Sequence, residues 1–176
     1  DPWGVAIGET HACLAAGLSG LFVVDVTAPE EPELVGEMDT DSYVWNVAMA
    51  GPWAFLAADY EGLLVVNLTD PRHPFVWSRA NTPGDALGVA LSGDYAFVAD
   101  REFGLHVIDL TDLWVPRIVG SVDTPDSAQA VAVSGDYAYV ADGSHLQVID
   151  ISDWGSPRIV GSTPMPDEAC GVAVLG

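Results

Sequence analysis

The chain has 176 residues, of which 49% are hydrophobic and 18% charged, a composition typical of a compact globular protein rather than a disordered one. Five arginines, no lysine and 26 acidic residues give a formal net charge of −21, which disfavours nucleic acid and anionic lipid surfaces as partners. No apolar run approaches the roughly 18–20 residues that a membrane-spanning helix needs, so we expect no membrane insertion.

The chain repeats itself four times. The ten residues LSGDYAFVAD at 91–100 return as VSGDYAYVAD at 133–142. The same spacing of 42 residues separates the Val-Ala pairs of the four units, at Val5, Val47, Val89 and Val131. A repeat of this length indicates a fold built from stacked units, since one unit alone cannot bury its hydrophobic face.

Each unit predicts four β-strands. The runs AVAVSG, YAYVADG, LQVIDI and PRIVGSV are short, rich in β-branched and aromatic residues, and bounded by Gly, Asp, Ser or Pro. Gly93-Asp94 and Gly135-Asp136 fit two-residue hairpin turns, because both residue types tolerate the backbone that such turns require. The third run is almost continuously apolar in every unit, which indicates a sheet covered on both faces.

A repeat of about 40–45 residues with four strands predicts a β-propeller, in which each sheet, or blade, packs between two others. We place the blades at 3–40, 45–82, 87–124 and 129–165 of a single propeller region covering residues 1–176. Residues 171–176, GVAVLG, then repeat the first strand of a fifth blade. The chain is therefore expected to be an arc of a larger ring, completed by missing sequence or by a second copy. The alternative is a closed four-bladed ring with a redundant terminal strand.

The third-strand phrases LFVVDVTA, LLVVNLTD, LHVIDLTD and LQVIDISD, each followed by a proline-containing turn, resemble the LVIVD repeat family of β-propeller proteins. The second unit departs most from the pattern, with Asn67 in place of the aspartate and PFVWSRAN in place of PRIVGSVD. The resemblance implies the propeller fold and an extracellular or cell-surface location. It implies no particular activity.

No motif predicts catalysis. The chain has no Gly-x-Ser-x-Gly elbow, no His-Glu-x-x-His and no phosphate-binding glycine loop, so we assign no catalytic residue. The polar residue that ends each third strand is expected to fix a turn by accepting a backbone N–H; these residues are Asp25, Asn67, Asp109 and Asp150. No calcium-binding loop is present, so we assign no metal ligand and no cofactor; a weakly bound calcium ion is the alternative.

The two cysteines are expected to remain separate thiols, both mostly buried. A turn at Glu9-Thr10 places Cys13 opposite Ala6, whereas Cys170 occupies the repeat position of Trp3, several residues out of register. A disulfide requires much closer Cα atoms than this register gives.

The loops between the second and third strands differ between units, whereas the strands repeat. In a propeller these loops emerge on the same side as the segments between blades, and variable loops on a rigid scaffold commonly carry recognition. We therefore predict a binding rim that contains Asp59, Tyr60, Glu61, Arg101, Glu102, Phe103 and His145, the last placed in a loop. The segments between blades add Asp41, Asp85, Asp126 and Asp167.

One further repeat position precedes each first strand. It is occupied by Trp3, Trp45, Leu87, Gln129 and Cys170. The two tryptophans are candidates for an aromatic anchor at the mouth of the axial channel. Simple packing between blades is the other interpretation.

Three classes of function fit these patterns. The first, which the missing catalytic motifs and the acidic surface favour, is an exported or cell-surface scaffold that binds a protein or a surface polymer through its rim. The second is an enzyme with a metal or carboxylate site at the channel mouth. The third is a structural subunit of a surface layer or filament, in which self-association completes the ring.

Overall fold

The structure, a computed structural model, describes residues 3–174. It contains sixteen β-strands in four separate antiparallel sheets, and no helix occurs in the described range. Within each sheet the strands are hydrogen-bonded in sequence order. The first strands of consecutive sheets pack side by side, so they form the inner wall and the fourth strands form the outer edge. The predicted all-β fold with four-stranded antiparallel blades is confirmed.

The four blades have nearly the same strand lengths. The first blade contains β1 (Gly4–Ile7), β2 (His11–Ala15), β3 (Leu21–Asp25) and β4 (Glu33–Met38). The second contains β5 (Asn46–Ala50), β6 (Trp53–Ala57), β7 (Leu63–Asn67) and β8 (Phe75–Ala80). The third contains β9 (Gly88–Ser92), β10 (Tyr95–Ala99), β11 (Leu105–Asp109) and β12 (Arg117–Val122). The fourth contains β13 (Ala128–Ser134), β14 (Tyr137–Asp142), β15 (His145–Asp150) and β16 (Arg158–Pro164).

The hairpins between first and second strands form where the sequence predicts them. Ser92 pairs with Tyr95 across Gly93-Asp94, and Gly93 has a φ of 55°. This left-handed backbone is open to glycine without steric cost, so glycine sets the turn and thereby the register of both strands.

No helix in the described part of the chain is long and apolar enough to cross a membrane.

The hydrophobic core is divided into three clusters, each between two consecutive blades. The cluster between the first and second blades is centred on Leu21 and Leu56, the next on Leu63 and Val98, and the last on Leu105 and Val140. Both faces of the second and third blades are therefore covered, which explains why their third strands are apolar at successive positions.

Each outer strand carries a β-bulge. The register between the third and fourth strands shifts by one residue after the same repeat position, at Val23, Val65, Val107 and Val148. The divergent second repeat keeps both the outer strand β8 and its bulge. The bulge is thus a property of the repeat and not of one blade.

The outward faces of the first and last blades differ from the interior faces. Val5 and Ile7 on β1 are exposed, and so is Val160 on β16.

A first strand of a fifth blade was expected at 171–176. Residues 165–174 form no strand: Met165 N and Ala169 N donate to the turn at Gly143-Ser144, but no partner strand lies beside residues 171–174 in the described part. Residues 175–176 lie outside the described residues.

Candidate functional site at the axial mouth

The repeat position before each first strand lines one cavity. A cavity of about 270 Å³ is bounded by the five residues that occupy this position, together with four neighbours, Asn46, Arg101, Ser127 and Ala130. The five are Trp3, Trp45, Leu87, Gln129 and Cys170. Equivalent positions of successive blades meet here because the blades fan about a common axis, so the cavity is the mouth of the axial channel. Its wall is aromatic at the first two blades and polar at the fourth.

Three aromatic rings form the wall of the mouth at the first two blades. The ring centroids of Trp3 and Trp45 lie 5.2 Å apart, and those of Tyr43 and Trp45 lie 4.5 Å apart. Trp3 Nε1 donates to the Tyr43 hydroxyl at 3.1 Å, although Trp3 is exposed. Trp45 is half-buried and packs, whereas the exposed ring of Trp3 is accessible to a ligand. Both tryptophans therefore take part in packing, and the anchor role of the more exposed Trp3 stays a prediction.

One loop position beside the mouth has left-handed backbone in all four blades. Gly17 and Gly143 occupy it in the first and fourth blades, but Asp59 and Arg101 occupy it in the second and third, with φ values of 48° and 51°. A residue with a Cβ in this region costs on the order of 1 kcal/mol, with a smaller cost for aspartate than for arginine. The bridge pairs Asp59–Ala86 and Arg101–Ala128 hold this backbone in place. Two side chains are therefore present at the mouth at positions where glycine would be less strained.

Both of these side chains make polar contacts within the rim. Trp45 Nε1 donates to Asp59 Oδ1 at 3.2 Å, so Asp59 orients an indole of the mouth. Arg101 Nη1 donates to Asp85 Oδ2 at 2.5 Å, and Arg101 also lines the cavity. The mouth therefore combines aromatic rings with one fixed cation and two carboxylates, groups that can make both stacking and charged contacts with a ligand.

The remaining rim residues surround the mouth. Tyr60 and Phe103 are exposed, and the Tyr60 hydroxyl donates to the backbone oxygen of Asp41. Arg79 Nη1 donates to Glu61 Oε1 at 2.8 Å, and Glu102 is exposed. These contacts place the predicted loop residues on the side of the mouth, next to the segments between blades.

His145 does not lie in a loop, contrary to the sequence-based interpretation. It is the first residue of β15 and pairs with Asp142 across a two-residue turn at Gly143-Ser144. The other blades have five-residue loops at this point, between strands that end at Ala15, Ala57 and Ala99 and strands that begin at Leu21, Leu63 and Leu105. The fourth unit is one residue shorter here, since 42 residues separate Leu63 from Leu105 but 41 separate Leu105 from Leu146. The shorter connection forms a tight hairpin and brings His145 into the ladder.

A buried polar network behind the rim of the third blade was missed. Asp100 is fully buried and accepts from Thr82 Oγ1 at 2.6 Å and from Gly84 N at 2.8 Å. His106 Nε2 donates to Asp100 Oδ2 at 3.0 Å, and Ser121 Oγ lies 2.7 Å from His106 Nδ1. The network anchors the segment that carries Asp85, the partner of Arg101.

The fourth blade has a related network. Gln147 Nε2 donates to Asp142 Oδ2 at 2.9 Å, and Asp126 N donates to the same oxygen at 3.3 Å. The sequence repeats contain a signal for this pairing. Asp100 occurs together with His106 in the third unit, and Asp142 occurs together with Gln147 in the fourth. The same two positions are apolar in the first two units, with Ala16 and Phe22 in the first and Ala58 and Leu64 in the second. Comparing repeats at both positions would have revealed the pair.

The four polar residues that end the third strands all accept a backbone N–H two residues later. The acceptors and donors are Asp25 with Thr27, Asn67 with Thr69, Asp109 with Thr111, and Asp150 with Ser152, at 2.8–3.0 Å. Hydrogen bonds from Ser152 and Arg158 lower the pKa of Asp150 to about 2. Hydrogen bonds from Thr27 and Thr111 likewise lower the pKa values of Asp25 and Asp109. The geometry is that of turn-forming side chains.

The cysteines are separate free thiols. Cys13 pairs with Ala6, as the register predicted, and burial raises the pKa of its thiol to about 12. Cys170 was expected to be mostly buried but is exposed, because it lies in the terminal segment, over which no further blade packs in the described part.

Two other observations bear on chemistry. A groove of about 470 Å³ lies on the opposite side, between the hairpins of the first two blades, and its titratable lining residues are Glu9 and His11. Within residues 3–174 no three His, Cys, Asp or Glu side chains converge in a way that could hold a metal ion.

Solved structures share this architecture. A functionally unknown protein from Desulfotomaculum acetoxidans superposes with a TM-score of 0.80 at 14% identity, over 97% of this chain and 59% of that one. Apo AztD from Citrobacter koseri superposes with a TM-score of 0.65 at 14% identity, over 95% of this chain and 48% of that one. The β-propeller domain of Cps50 (Swd1) from Myceliophteria thermophila superposes with a TM-score of 0.74 at 10% identity, over 93% of this chain and 58% of that one. The chain thus spans about half to three fifths of these structures, and likeness at such identity shows the fold alone.

No curated protein matches this chain. The family model of the LVIVD repeat matches four times, at residues 1–40, 41–82, 83–124 and 125–164. These matches follow the four blades and leave only the terminal segment uncovered. The chain belongs to the LVIVD repeat family.

Proposed function

We propose that this protein is a non-catalytic, exported or cell-surface β-propeller module that binds a protein or a surface polymer through the rim around its axial mouth. The observation that carries the proposal is the left-handed backbone of Asp59 and Arg101 at a position where glycine is less strained. Strained non-glycine residues cluster at functional sites, where the side chain contributes more than the strain costs.

Exposed aromatic residues support a binding role. Trp3, Tyr60 and Phe103 are all exposed on the side of the mouth. Large aromatic side chains contribute much of the binding free energy at interfaces and also stack on sugar rings, so the rim suits a protein or a glycan. The net charge of −21 favours a neutral or basic partner, because an anionic one is repelled at long range.

The location is proposed on the basis of family resemblance and surface chemistry. Proteins with this repeat are mostly exported or cell-surface proteins, and a dense carboxylate surface without lysine is tolerated where salt screens it. In the same proposal the four blades form an arc of a larger ring, so the rim is longer than the part described here.

The test compares a rim variant with a matched variant on the opposite side. Tyr60→Ala/Phe103→Ala removes two exposed rings of the rim, and Trp114→Ala removes an exposed ring from the loop between β11 and β12, which emerges on the other side. Each protein is immobilised and offered two probes separately, the soluble protein fraction and the purified polysaccharide fraction of the source cell envelope. We expect one fraction to contain a component that wild type and Trp114→Ala retain and that the rim variant binds at least tenfold more weakly.

The control measurement is thermal stability. Exposed substitutions shift the free energy of unfolding by about 0.5 kcal/mol or less, so the rim variant should unfold at a temperature close to that of wild type. Trp114→Ala also removes the contact of its ring with Trp77, at a centroid distance of 4.1 Å, and should lose somewhat more stability. Equal retention by wild type and the rim variant would contradict the proposal. A large loss of stability in the rim variant would assign the two rings to the core instead.

A further inference from the structure

We infer that a second binding site lies between the first and second blades, on the side opposite the axial mouth, and that it takes an aromatic side chain of a peptide segment from another protein. The site is a groove of about 470 Å³, a volume typical of ligand sites. It is enclosed by the β1–β2 hairpin, the β5–β6 hairpin and the loop that follows β7. It goes beyond the proposed rim, with which it shares no residue.

The groove has an apolar floor and a polar edge. Val23, Met49 and Leu68 line its inner part, and Val23 and Leu68 are buried. His11 lines it from the first blade and Pro71 from the second. An apolar floor with a few polar groups at the edge suits a ring that carries one polar atom, such as an indole or a phenol. The exposed polar lining residues are Glu9, Thr10 and Thr69.

The same groove recurs at the next junction, where the chain itself narrows it. The cavity between the second and third blades has a volume of about 170 Å³. Trp53 and Leu113 line it, and they are the repeat equivalents of His11 and Pro71. Both also pack against the core cluster of that junction. The larger side chain of Trp53 therefore occupies space that stays open beside His11.

At the third junction two rings meet across the groove. Tyr95 and Trp154 occupy the same two repeat positions, and their ring centroids lie 3.6 Å apart. Tyr95 also packs against the core cluster of this junction. Two of the three junctions thus place an aromatic side chain of the earlier blade in the groove. The first junction has a smaller residue at both positions, and its cavity is larger than the one at the second.

The comparison of the three junctions identifies the occupant. Where the groove is filled, it is filled by an indole or a phenol that a polypeptide segment carries, as at Trp53 and Tyr95. The residue below the ring is aliphatic at every junction, at Leu68, Leu110 and Ile151, and each of these is buried. A tryptophan or tyrosine of another polypeptide can make the same contacts at the first junction. Aromatic side chains that enter such pockets are common anchors of protein interfaces.

Further repeats of the chain would not cover this groove. Added blades pack on the outward faces of the first and last blades, whereas the groove lies between two blades that already pack together. The junction between the second and third blades has a neighbouring blade on each side, and a cavity of about 170 Å³ persists there. The occupant of the larger groove therefore comes from outside the array of repeats.

The charge of the protein restricts the charge of the partner. The net charge of −21 repels anionic segments at long range. Close to the groove, the exposed edge carries the carboxylate of Glu9. The segment that presents the ring is therefore neutral or basic.

The test uses the full chain with isotope-labelled methionine methyl groups and a blocked five-residue peptide, Gly-Ser-Trp-Ser-Gly. Of the three methionines, Met49 lines the groove, whereas Met38 and Met165 do not. We expect the ring current of the peptide to shift the Met49 methyl signal alone, with a dissociation constant of about 1 mM or lower. The same peptide with alanine in place of tryptophan should shift no signal. An unshifted Met49 signal at about 10 mM tryptophan peptide would overturn the inference.

Variants that copy the filled junction locate the site. His11→Trp/Pro71→Leu gives the first junction the residue pair of the second, so it should abolish the Met49 shift and raise the melting temperature, because a side chain of the chain itself fills the cavity. His11→Trp alone should weaken binding at least fivefold. Tyr137→Trp is the matched control, since it adds an indole at the equivalent position of the fourth blade and leaves the groove open. Undiminished binding by the two filled variants would contradict the assignment.

The rim variant keeps the two proposals separate. Tyr60→Ala/Phe103→Ala changes residues on the side of the mouth and should bind the tryptophan peptide as wild type does. A failure of the peptide to bind would therefore overturn the groove and leave the rim proposal as it stands. Loss of peptide binding in the rim variant would place the peptide at the rim and overturn the groove as its site.

Three further measurements distinguish other occupants. Free indole should bind at least threefold more weakly than the peptide, whose backbone adds hydrogen bonds at the polar edge; equal binding would assign the groove to small aromatic molecules instead. A Met49 signal that moves with protein concentration in the absence of peptide would assign it to an exposed ring of a second copy. Lysine in place of both serines should tighten binding at least threefold at low salt, and tighter binding with glutamate there would overturn the charge assigned to the partner.

Discussion

The second and third blades have closely matched sheets but differently supported rims. In both, a loop residue with left-handed backbone stands beside the mouth, Asp59 in one and Arg101 in the other. Behind the loop of the second blade lie Ala58 and Leu64, and the segment between blades is held by Ser42 Oγ donating to Ala58 O at 2.6 Å. Behind the loop of the third blade, Asp100 and His106 form a buried network instead. The repeat thus fixes where the rim lies, and residues of two kinds can hold it there.

The apolar and the polar arrangement behind the loop differ in the partners that they require. An apolar residue behind the loop needs no partner, whereas a buried carboxylate requires every surrounding donor to be in place. Asp100 accepts three hydrogen bonds, so the third blade orders its rim with side-chain and backbone contacts at once. Behind its loop the second blade has apolar side chains and the Ser42 hydroxyl bond to the backbone of Ala58 instead.

The largest expected effect comes from breaking the network of the third blade. Asp100→Ala leaves Thr82 Oγ1, Gly84 N and His106 Nε2 buried without an acceptor. We expect the free energy of unfolding to fall by about 3 kcal/mol, measured by urea denaturation. Ala58→Ser, a substitution at the equivalent position of the second blade, is the control. It should lower the free energy of unfolding by less than Asp100→Ala does.

The double variant Asp100→Ala/His106→Leu sharpens this prediction by giving the third blade the residues of the second. Because Leu needs no partner, the double variant should lose less stability than the sum of its two single variants, by about 1 kcal/mol or more. Strict additivity would mean that Asp100 and His106 act independently and that the network is not a unit.

A smaller effect concerns the left-handed residues that the two blades share. At most exposed positions Ala is at least as stable as Gly, but a Cβ is strained at positive φ. We expect Arg101→Gly to be more stable than Arg101→Ala by about 1 kcal/mol, and the same order at Asp59. At Glu102, which is exposed and does not have a positive φ, the Ala variant should be at least as stable as the Gly variant in thermal melts. If Arg101→Ala is more stable than Arg101→Gly, the backbone of Arg101 is not strained.

The smallest effect concerns the turns, where the second blade has Asn67 and the third has Asp109. Hydrogen bonds from Thr111 lower the pKa of Asp109 below its usual 3.8, so its contribution to stability is present above that value and lost as pH falls through the lowered one. Asp109→Asn keeps the turn but should flatten the fall of the urea midpoint between about pH 4 and pH 2. Asn67→Asp should steepen it. Identical acid profiles for all three proteins would contradict the assignment.

The fold was predictable because its information is repeated four times. Each unit carries the same apolar third strand at nearly the same spacing, and three of the four share each turn glycine, so an error in one unit is corrected by the others. The second repeat illustrates this: its outer sequence PFVWSRAN departs from the pattern, yet β8 forms with the same bulge. Residues 171–174 were less predictable as a strand, because pairing depends on a neighbour and not on the segment alone.

The sequence predicted that one repeat position would meet in space, but it did not predict all of the residues around that position. Alignment of the repeats predicted that Trp3, Trp45 and Cys170 share one location, and they line one cavity. The exposure of Cys170 was not predicted, since it depends on what covers the last blade. The Asp100–His106 pair was not predicted, because Asp100 alone resembles an ordinary loop aspartate and His106 alone resembles an ordinary strand histidine. Only their joint change between repeats distinguishes them.

The bulge in each outer strand limits how the sheets can grow. An outer strand exposes a row of unpaired backbone groups, to which a strand of another molecule could add and so begin a fibre. The extra residue twists and interrupts that row at one place in all four blades, so a straight incoming strand cannot stay in register along it. The bulge therefore hinders strand addition at the outer edge of each of the four described sheets.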